Sequence, residues 1–322
     1  MRLRSFFPLK RKPVGSLLMV PGMHFLGPSH PRMERLASVV AHAGVMVMTP
    51  FIPDYLDLRF AQRSINDVQR AFDHLWSHVQ RPDTPPGVMS ISFGCLPALA
   101  LVGHPDYRDR IGSLLTFGGY RHWRHALRFC LEGSADVPHD PLNRPIIFSN
   151  LTDHLPTVPD IEAVKAAWHD FMLRTWGRED MKSHTARASI ADELDGALTT
   201  DGRMLFRQGC GLEPGGDTLI EAAIDAADNL DWLDPAPHLE NAQCPLVAVH
   251  AVDDDVIRPE QSRWLAESWP RAYQSRTLLT GLYSHSGELE NQRGGGGLGG
   301  AITEVKTMLT VLNALMKTGT GG

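Results

Sequence analysis

The sequence predicts an α/β protein: a mostly parallel sheet flanked by helices, interrupted by an inserted helical segment. Short apolar runs alternate with stretches of helical period, as successive strand and helix units of a parallel sheet require. Between the fourth and fifth of those strands lie roughly 125 residues, far more than ordinary connections plus one helix would use. The composition, 43% hydrophobic and 21% charged over 322 residues and 35.6 kDa, supplies apolar material for a large core and carries no signature of disorder.

Leu17 to Val20 is the first buried-strand candidate and ends in Pro21-Gly22. A helix over Arg32 to His42 follows, with Gly44 placed to stop it, and a second strand over Val45 to Phe51. Ile65, Val68, Phe72, Leu75 and Val79 recur at helical spacing and predict an amphipathic helix against the sheet, ended by Pro82, Pro85 and Pro86. Val88 to Ser92 is the third strand, and Cys95 to Val102 is a nearly all-apolar segment that reads as a buried helix. Strands at Ile111 to Phe117, Leu246 to Ala251 and Ser275 to Leu279 bring the expected total to six. A last helix should carry Ile302, Val305, Met308, Leu309, Leu312 and Met316 on one face. Arg121 to Glu132, Ile161 to Trp176 and Leu219 to Ala227 also look helical. They predict a helical cap over residues 121–237, with the core formed by 1–120 and 238–322. The run Gly294 to Gly297, with Gly299 and Gly300, reads as a linker, since it lacks the Lys-Ser/Thr ending and preceding strand of a phosphate loop.

Several function classes are excluded on these grounds. Thirty-one Lys+Arg against thirty-seven Asp+Glu leave a net charge of −6, and no basic stretch could neutralise a row of phosphates, so nucleic acid is not an expected partner. Cys95, Cys130, Cys210 and Cys244 form no CxxC pair and read as small buried hydrophobes. No window reaches 18 uninterrupted apolar residues, so no spanning helix is expected. The amino terminus carries Arg2, Arg4, Lys10, Arg11 and Lys12, but the apolar stretch after them is broken by Pro21 and Gly22; the expected location is the cytoplasm. His74 and His78 stand four apart on a helix without a third acidic ligand, and read as surface residues; no metal and no cofactor is expected. Arg121, Arg124 and Arg128 recur at helical spacing and read as a solvated face.

The chemistry centres on Ser90-Ile91-Ser92-Phe93-Gly94, where a strand gives way to a helix. A sharp turn there forces the central serine into a strained conformation, and small residues two positions either side let strand and helix approach closely. Ser90 stands where glycine is usual, and serine is still small. A serine hydroxyl needs an imidazole to take its proton and a carboxylate to fix the imidazole's tautomer. Asp253, Asp254 and Asp255 follow the fifth strand at the carboxyl edge of the sheet, and His285 follows the sixth on the same edge. The order Ser, Asp, His is complete.

These features resemble the α/β-hydrolase fold family over most of the chain outside the insertion. The family's His-Gly-x-x-Asp-x-x-Val stretch aligns with His250-Ala251-Val252-Asp253-Asp254-Asp255-Val256-Ile257, and the resemblance points to Asp254 as the acid, with Asp253 and Asp255 as alternatives. It further implies an oxyanion hole from the backbone amides of Phe93 and Met23, the latter after a Pro21-Gly22 that keeps the family's glycine but not its histidine. His24, beside that amide, is a possible substrate contact, and His250 reads as a structural hydrogen bonder at a strand end. The family's two opening strands are expected to be largely absent, because only about 15 residues precede Ser16. The implied activity is a serine hydrolase, carboxylesterase-like, acting on a small-molecule ester or related acyl bond through an acyl-enzyme. An acyltransferase on the same triad and a noncatalytic binding protein are the alternatives.

Overall fold

The computed structural model describes residues 1–9, 11–78, 84–133, 138–281, 310–311 and 313–320. In chain order the core elements are β1 (Leu3–Phe6), β2 (Gly15–Val20), α1 (Pro31–His42), β3 (Val45–Pro50), α2 (Pro53–Leu56), α3 (Arg63–Ser77), β4 (Gly87–Ile91), α4 (Cys95–Gly103) and β5 (Ser113–Phe117). Six further helices follow: α5 (Trp123–Glu132), α6 (Arg144–Asn150), α7 (Ile161–Thr175), α8 (His184–Leu194), α9 (Thr200–Gly209) and α10 (Gly216–Ala226). The chain then returns through α11 (Ala236–Leu239), β6 (Leu246–Ala251), α12 (Glu260–Glu267) and β7 (Ser275–Thr280). Residues 310–311 and 313–320 are helical; the remainder of the expected last helix and the glycine run lie outside the described residues.

The contacts of the chain group into two units, one from Met1–His122 with Leu233–Gly322 and the other Trp123–Trp232. The first holds a seven-stranded sheet in the order β1-β3-β2-β4-β5-β6-β7. β2 to β7 are parallel, and β1 pairs antiparallel with β3, Leu3 opposite Pro50 and Phe6 opposite Val47. The expectation of six strands with the opening ones absent is therefore corrected: one strand does lie within the first fifteen residues. It went unread because Leu3–Phe6 is four residues long, places the two polar residues Arg4 and Ser5 side by side between Leu3 and Phe6, has no fully buried position and sits at the sheet edge.

Both faces of the parallel strands are covered. On β2, Leu18 and Val20 point to a cluster with Val68, Phe72 and Leu75 of α3 and Ala98, Leu99 and Leu101 of α4. Leu17 and Met19 point to the opposite cluster, with Met33, Ala37 and Val40 of α1 and with Ala314 and Leu315. Strand side chains alternate, so a strand buried on both sides reads as a continuous apolar run, and each such Leu or Val contributes about 1.5–3 kcal/mol. Helix α1 starts at Pro31 with the His30 ring accepting from the Arg32 amide, and Gly44 follows its end at φ +108°, the stop expected there.

In the second unit, Arg124 pairs with Asp228 and Asp231, and Arg128 with Glu221 and Asp225, while Arg121 of the first unit pairs with Asp234. These arginines bind neighbouring elements together, where a solvated face was expected. No helix among the described residues is long and apolar enough to cross a membrane.

Candidate active site

Parallel strands place their carboxyl ends on one edge, and a crevice opens where strand order reverses. Here the chain runs from β2 to β3 on one side and then to β4 on the other, so the reversal falls between the ends of β2 and β4. Pro21-Gly22 follows the first and Ser92 the second.

Ser92 is held at φ +49°, in the left-handed region that non-glycine residues avoid. Ile91 before it is extended, at φ −121° and ψ 131°, and Gly94 after it is already helical, at φ −61° and ψ −10°. The turn is tight because two glycines permit it. A Cβ on Gly94 would stand 2.4 Å from the Pro21 carbonyl oxygen, and one on Gly22 would stand 3.1 Å from the Ile91 oxygen and 3.2 Å from the Ser92 Cβ. The loop after β2, which carries Met23, thus runs directly against the serine turn. Ser92 and Phe93 are half-buried, and Met23 and Phe93 both pack against the same core cluster. Beneath the turn, Ser90 is fully buried and its hydroxyl has no hydrogen-bond partner among the described residues. All four cysteines are buried, as expected of them, and burial pushes the Cys95 thiol up to about 12, which keeps it protonated near neutral pH.

Asp254 lies three residues beyond β6 and is 1% exposed, whereas Asp253 is exposed and Asp255 half-buried. Its Oδ1 accepts from the amides of Val256 at 2.9 Å and Ile257 at 2.8 Å. Its Oδ2 lies 3.3 Å from His250 Nε2. His250 is itself fully buried, with Nε2 2.7 Å from the Ile257 carbonyl and Nδ1 2.7 Å from Ser262 Oγ on α12. A carbonyl only accepts, so Nε2 carries a proton and the Ser262 hydroxyl donates to Nδ1 of that tautomer. His250 is the structural hydrogen bonder the sequence suggested, and its partner is the carboxylate proposed for the triad. Ser262 went unnoticed, since nothing in α12 distinguishes it from a helical surface serine. His285 lies outside the described residues.

His24 donates its amide to the Tyr55 carbonyl at 3.1 Å, and its Nδ1 accepts from the Leu26 amide at 3.0 Å. Its ring meets His30 edge-on at 4.5 Å. Burial, with His30 and Arg32 nearby, lowers its pKa to about 4, so the ring is neutral at physiological pH with its proton on Nε2. His74 and His78 are exposed, with rings 4.6 Å apart, and no cluster of three or more metal-ligating groups exists among the described residues.

The strand order, the single antiparallel edge strand and the left-handed serine between β4 and α4 define the α/β-hydrolase fold. No protein-family model matches the chain, and no curated protein matches it. Solved structures similar to it include a metagenome-derived lipolytic enzyme of the pair LipS and LipT, at 13% identity and TM-score 0.49, covering 98% of this chain and 96% of that one. Est1E from Butyrivibrio proteoclasticus aligns at 12% identity and TM-score 0.48, over 97% and 94% of the two chains. A thermophilic esterase from Thermogutta terrifontis aligns at 14% identity and TM-score 0.44, over 99% and 93%.

Proposed function

We propose that this protein is a serine hydrolase that cleaves a carboxylic ester, or a related acyl bond, through an acyl-enzyme. The observation that carries the reading is the left-handed Ser92 at the strand-to-helix turn, φ +49°, at the reversal point of the sheet. Backbone strain of this kind persists where the surrounding structure over-determines it, and a hydroxyl raised on such a turn is open to both a substrate and a base.

In this reading His285 removes the Ser92 proton as Oγ attacks the carbonyl carbon, and the carbonyl oxygen becomes an oxyanion facing the amides of Met23 and Phe93. Collapse of the tetrahedral intermediate breaks the bond to the alcohol, which takes the proton from His285. Water then repeats the sequence on the acyl-enzyme and releases the acid. Asp254 fixes the tautomer of His285; its own orientation is supported by two backbone amides and His250. His24, neutral and a donor at Nε2, is a substrate contact near the oxyanion loop.

Hydrolysis of short p-nitrophenyl esters tests the assignment. Ser92→Ala and His285→Ala should each lower kcat by at least about 10³-fold with the fold intact by circular dichroism. Unchanged turnover in a folded Ser92→Ala protein would refute it.

A further inference from the structure

Two strained turns converge on a single pair of aromatic rings. Among the described residues, Leu58 and Ser92 are the two non-glycine residues with positive φ, at +53° and +49°. Phe93 follows Ser92 directly, and Phe60 lies two residues after Leu58. The rings of Phe60 and Phe93 stack with centroids 4.8 Å apart and planes 12° from parallel.

Each side of this stack is held by buried polar groups. Asp54, whose side chain is 2% exposed, accepts from Arg59 Nη2 at 2.8 Å and from both Nη2 and Nε of Arg63, at 2.6 and 2.5 Å. The Arg59 amide also donates to the Asp54 carbonyl at 2.8 Å. Burial alone would push the Asp54 carboxyl up, but the hydrogen bonds from Arg63 and Arg59 outweigh it and hold the group below its usual range. The segment between α2 and α3 is therefore clamped at both ends around Leu58, which is 1% exposed. On the other side, the Tyr55 hydroxyl lies 3.4 Å from the Phe93 carbonyl and 3.4 Å from Ser64 Oγ. The Tyr55 and Tyr120 rings pack on Phe93 at 5.7 and 5.9 Å. Both tyrosines are buried, whereas Phe60 and Phe93 are only half-buried. The exposed part of the cluster thus includes Phe93, the residue whose amide faces the oxyanion in the reading above, as well as Phe60.

From this geometry we infer that Phe60 and Phe93 form the wall against which an aryl group of the ester lies, that Phe60 determines specificity and that Asp54 is its positioning residue. The substrate class is an ester that carries an aromatic ring on its acyl or its alcohol side. Rigid phenylalanine faces favour a further planar ring over a saturated ring of equal size, because offset stacking adds to area burial. The inference rests on the serine-hydrolase reading for its position beside the reacting carbonyl.

The test compares kcat/KM within matched pairs: methyl phenylacetate against methyl cyclohexylacetate for the acyl side, and benzyl acetate against cyclohexylmethyl acetate for the alcohol side. The readout is the change in the aryl-to-saturated ratio between wild type and variant, which cancels both intrinsic reactivity and the fraction of folded enzyme. Phe60→Leu should lower the ratio about fivefold in one of the two pairs, the size of one aromatic contact. Phe60→Tyr should hold it within about twofold of wild type, and Asp54→Asn should lower it in the same pair as Phe60→Leu. A purely structural role for Asp54 would lower both rates together and leave the ratio unmoved. Ratios unchanged by Phe60→Leu in both pairs would overturn the inference. If no ester turns over and a fluorophosphonate leaves Ser92 unlabelled, the hydrolase reading has failed by itself. The wall is then decided by equilibrium binding of phenylacetate against cyclohexylacetate to wild type and Phe60→Leu, where the same fivefold change supports it and its absence rejects it.

Discussion

Gly22 and Ser92 approach so closely that a methyl group on the glycine would stand 3.2 Å from the Cβ of the serine. The same methyl would stand 3.1 Å from the Ile91 carbonyl, a backbone atom that can move only with the strand behind it. Gly22→Ala should therefore displace the Met23 amide from the oxyanion. The expected result is a kcat lowered by about 10²-fold, as for loss of one oxyanion donor, against a stability change of about 1–2 kcal/mol. Steady-state kinetics with a thermal melt separates the two; a full kcat in Gly22→Ala would remove Met23 from the mechanism.

Asp254→Asn should lower kcat by about 10³–10⁴-fold, while Asp253→Asn and Asp255→Asn stay within about threefold of wild type. The variant keeps an acceptor for the Val256 and Ile257 amides, but turns its amide nitrogen toward the proton on His250 Nε2. Two donors then face each other in a buried site, and stability should fall by about 1–3 kcal/mol. Denaturant unfolding and single-turnover kinetics on the three variants check both parts. The largest loss at Asp253 or Asp255 would move the acid by one residue.

The orphaned hydroxyl of Ser90 suggests a stabilising change. Its Oγ is buried and has no hydrogen-bond partner among the described residues, so removing it leaves no partner behind. Ser90→Ala should raise stability by about 0.5–1.5 kcal/mol, seen as a higher urea midpoint at constant slope. A lower midpoint would mean that the hydroxyl is satisfied in solution.

His24 should make the protein sensitive to mild acid. Its folded pKa, about 4, lies below the ordinary 6.5, so the unfolded chain binds this proton first. The associated stability is intact above pH 6.5 and is lost as pH falls toward 4, by at most about 3 kcal/mol. His24→Asn retains an acceptor for the Leu26 amide and removes the titration. Between pH 6.5 and 4 its stability should fall less steeply than that of wild type. His30, His139 and His238, also lowered by burial, leave part of the slope in place. Identical slopes in the two proteins would exclude His24 as a source.

Much of this architecture was legible because burial on both faces writes a parallel strand as an unbroken apolar run. Leu246–Ala251 is read to the residue, and Gly87–Ile91 and Cys95–Gly103 to within one. The serine turn was legible for the same reason, since small residues at 90 and 94 stand between an apolar strand and an apolar helix. What escaped notice depends on partners distant in sequence. The strand Leu3–Phe6 is defined by its pairing with Val47 to Pro50, not by its own pattern. Ser262 acquires meaning only 2.7 Å from His250, twelve residues away, and Phe60 only 4.8 Å from Phe93. Helices α6, α8 and α9 were unread because glycine, proline or polar residues interrupt their apolar period.

The most direct measurement is the site of covalent capture. Intact protein treated with a fluorophosphonate and digested should yield one phosphonylated peptide, with the adduct on Ser92, and the labelling rate should fall with acid as His285 is protonated. An adduct on any other serine, or none on a folded and monodisperse protein, would contradict the account.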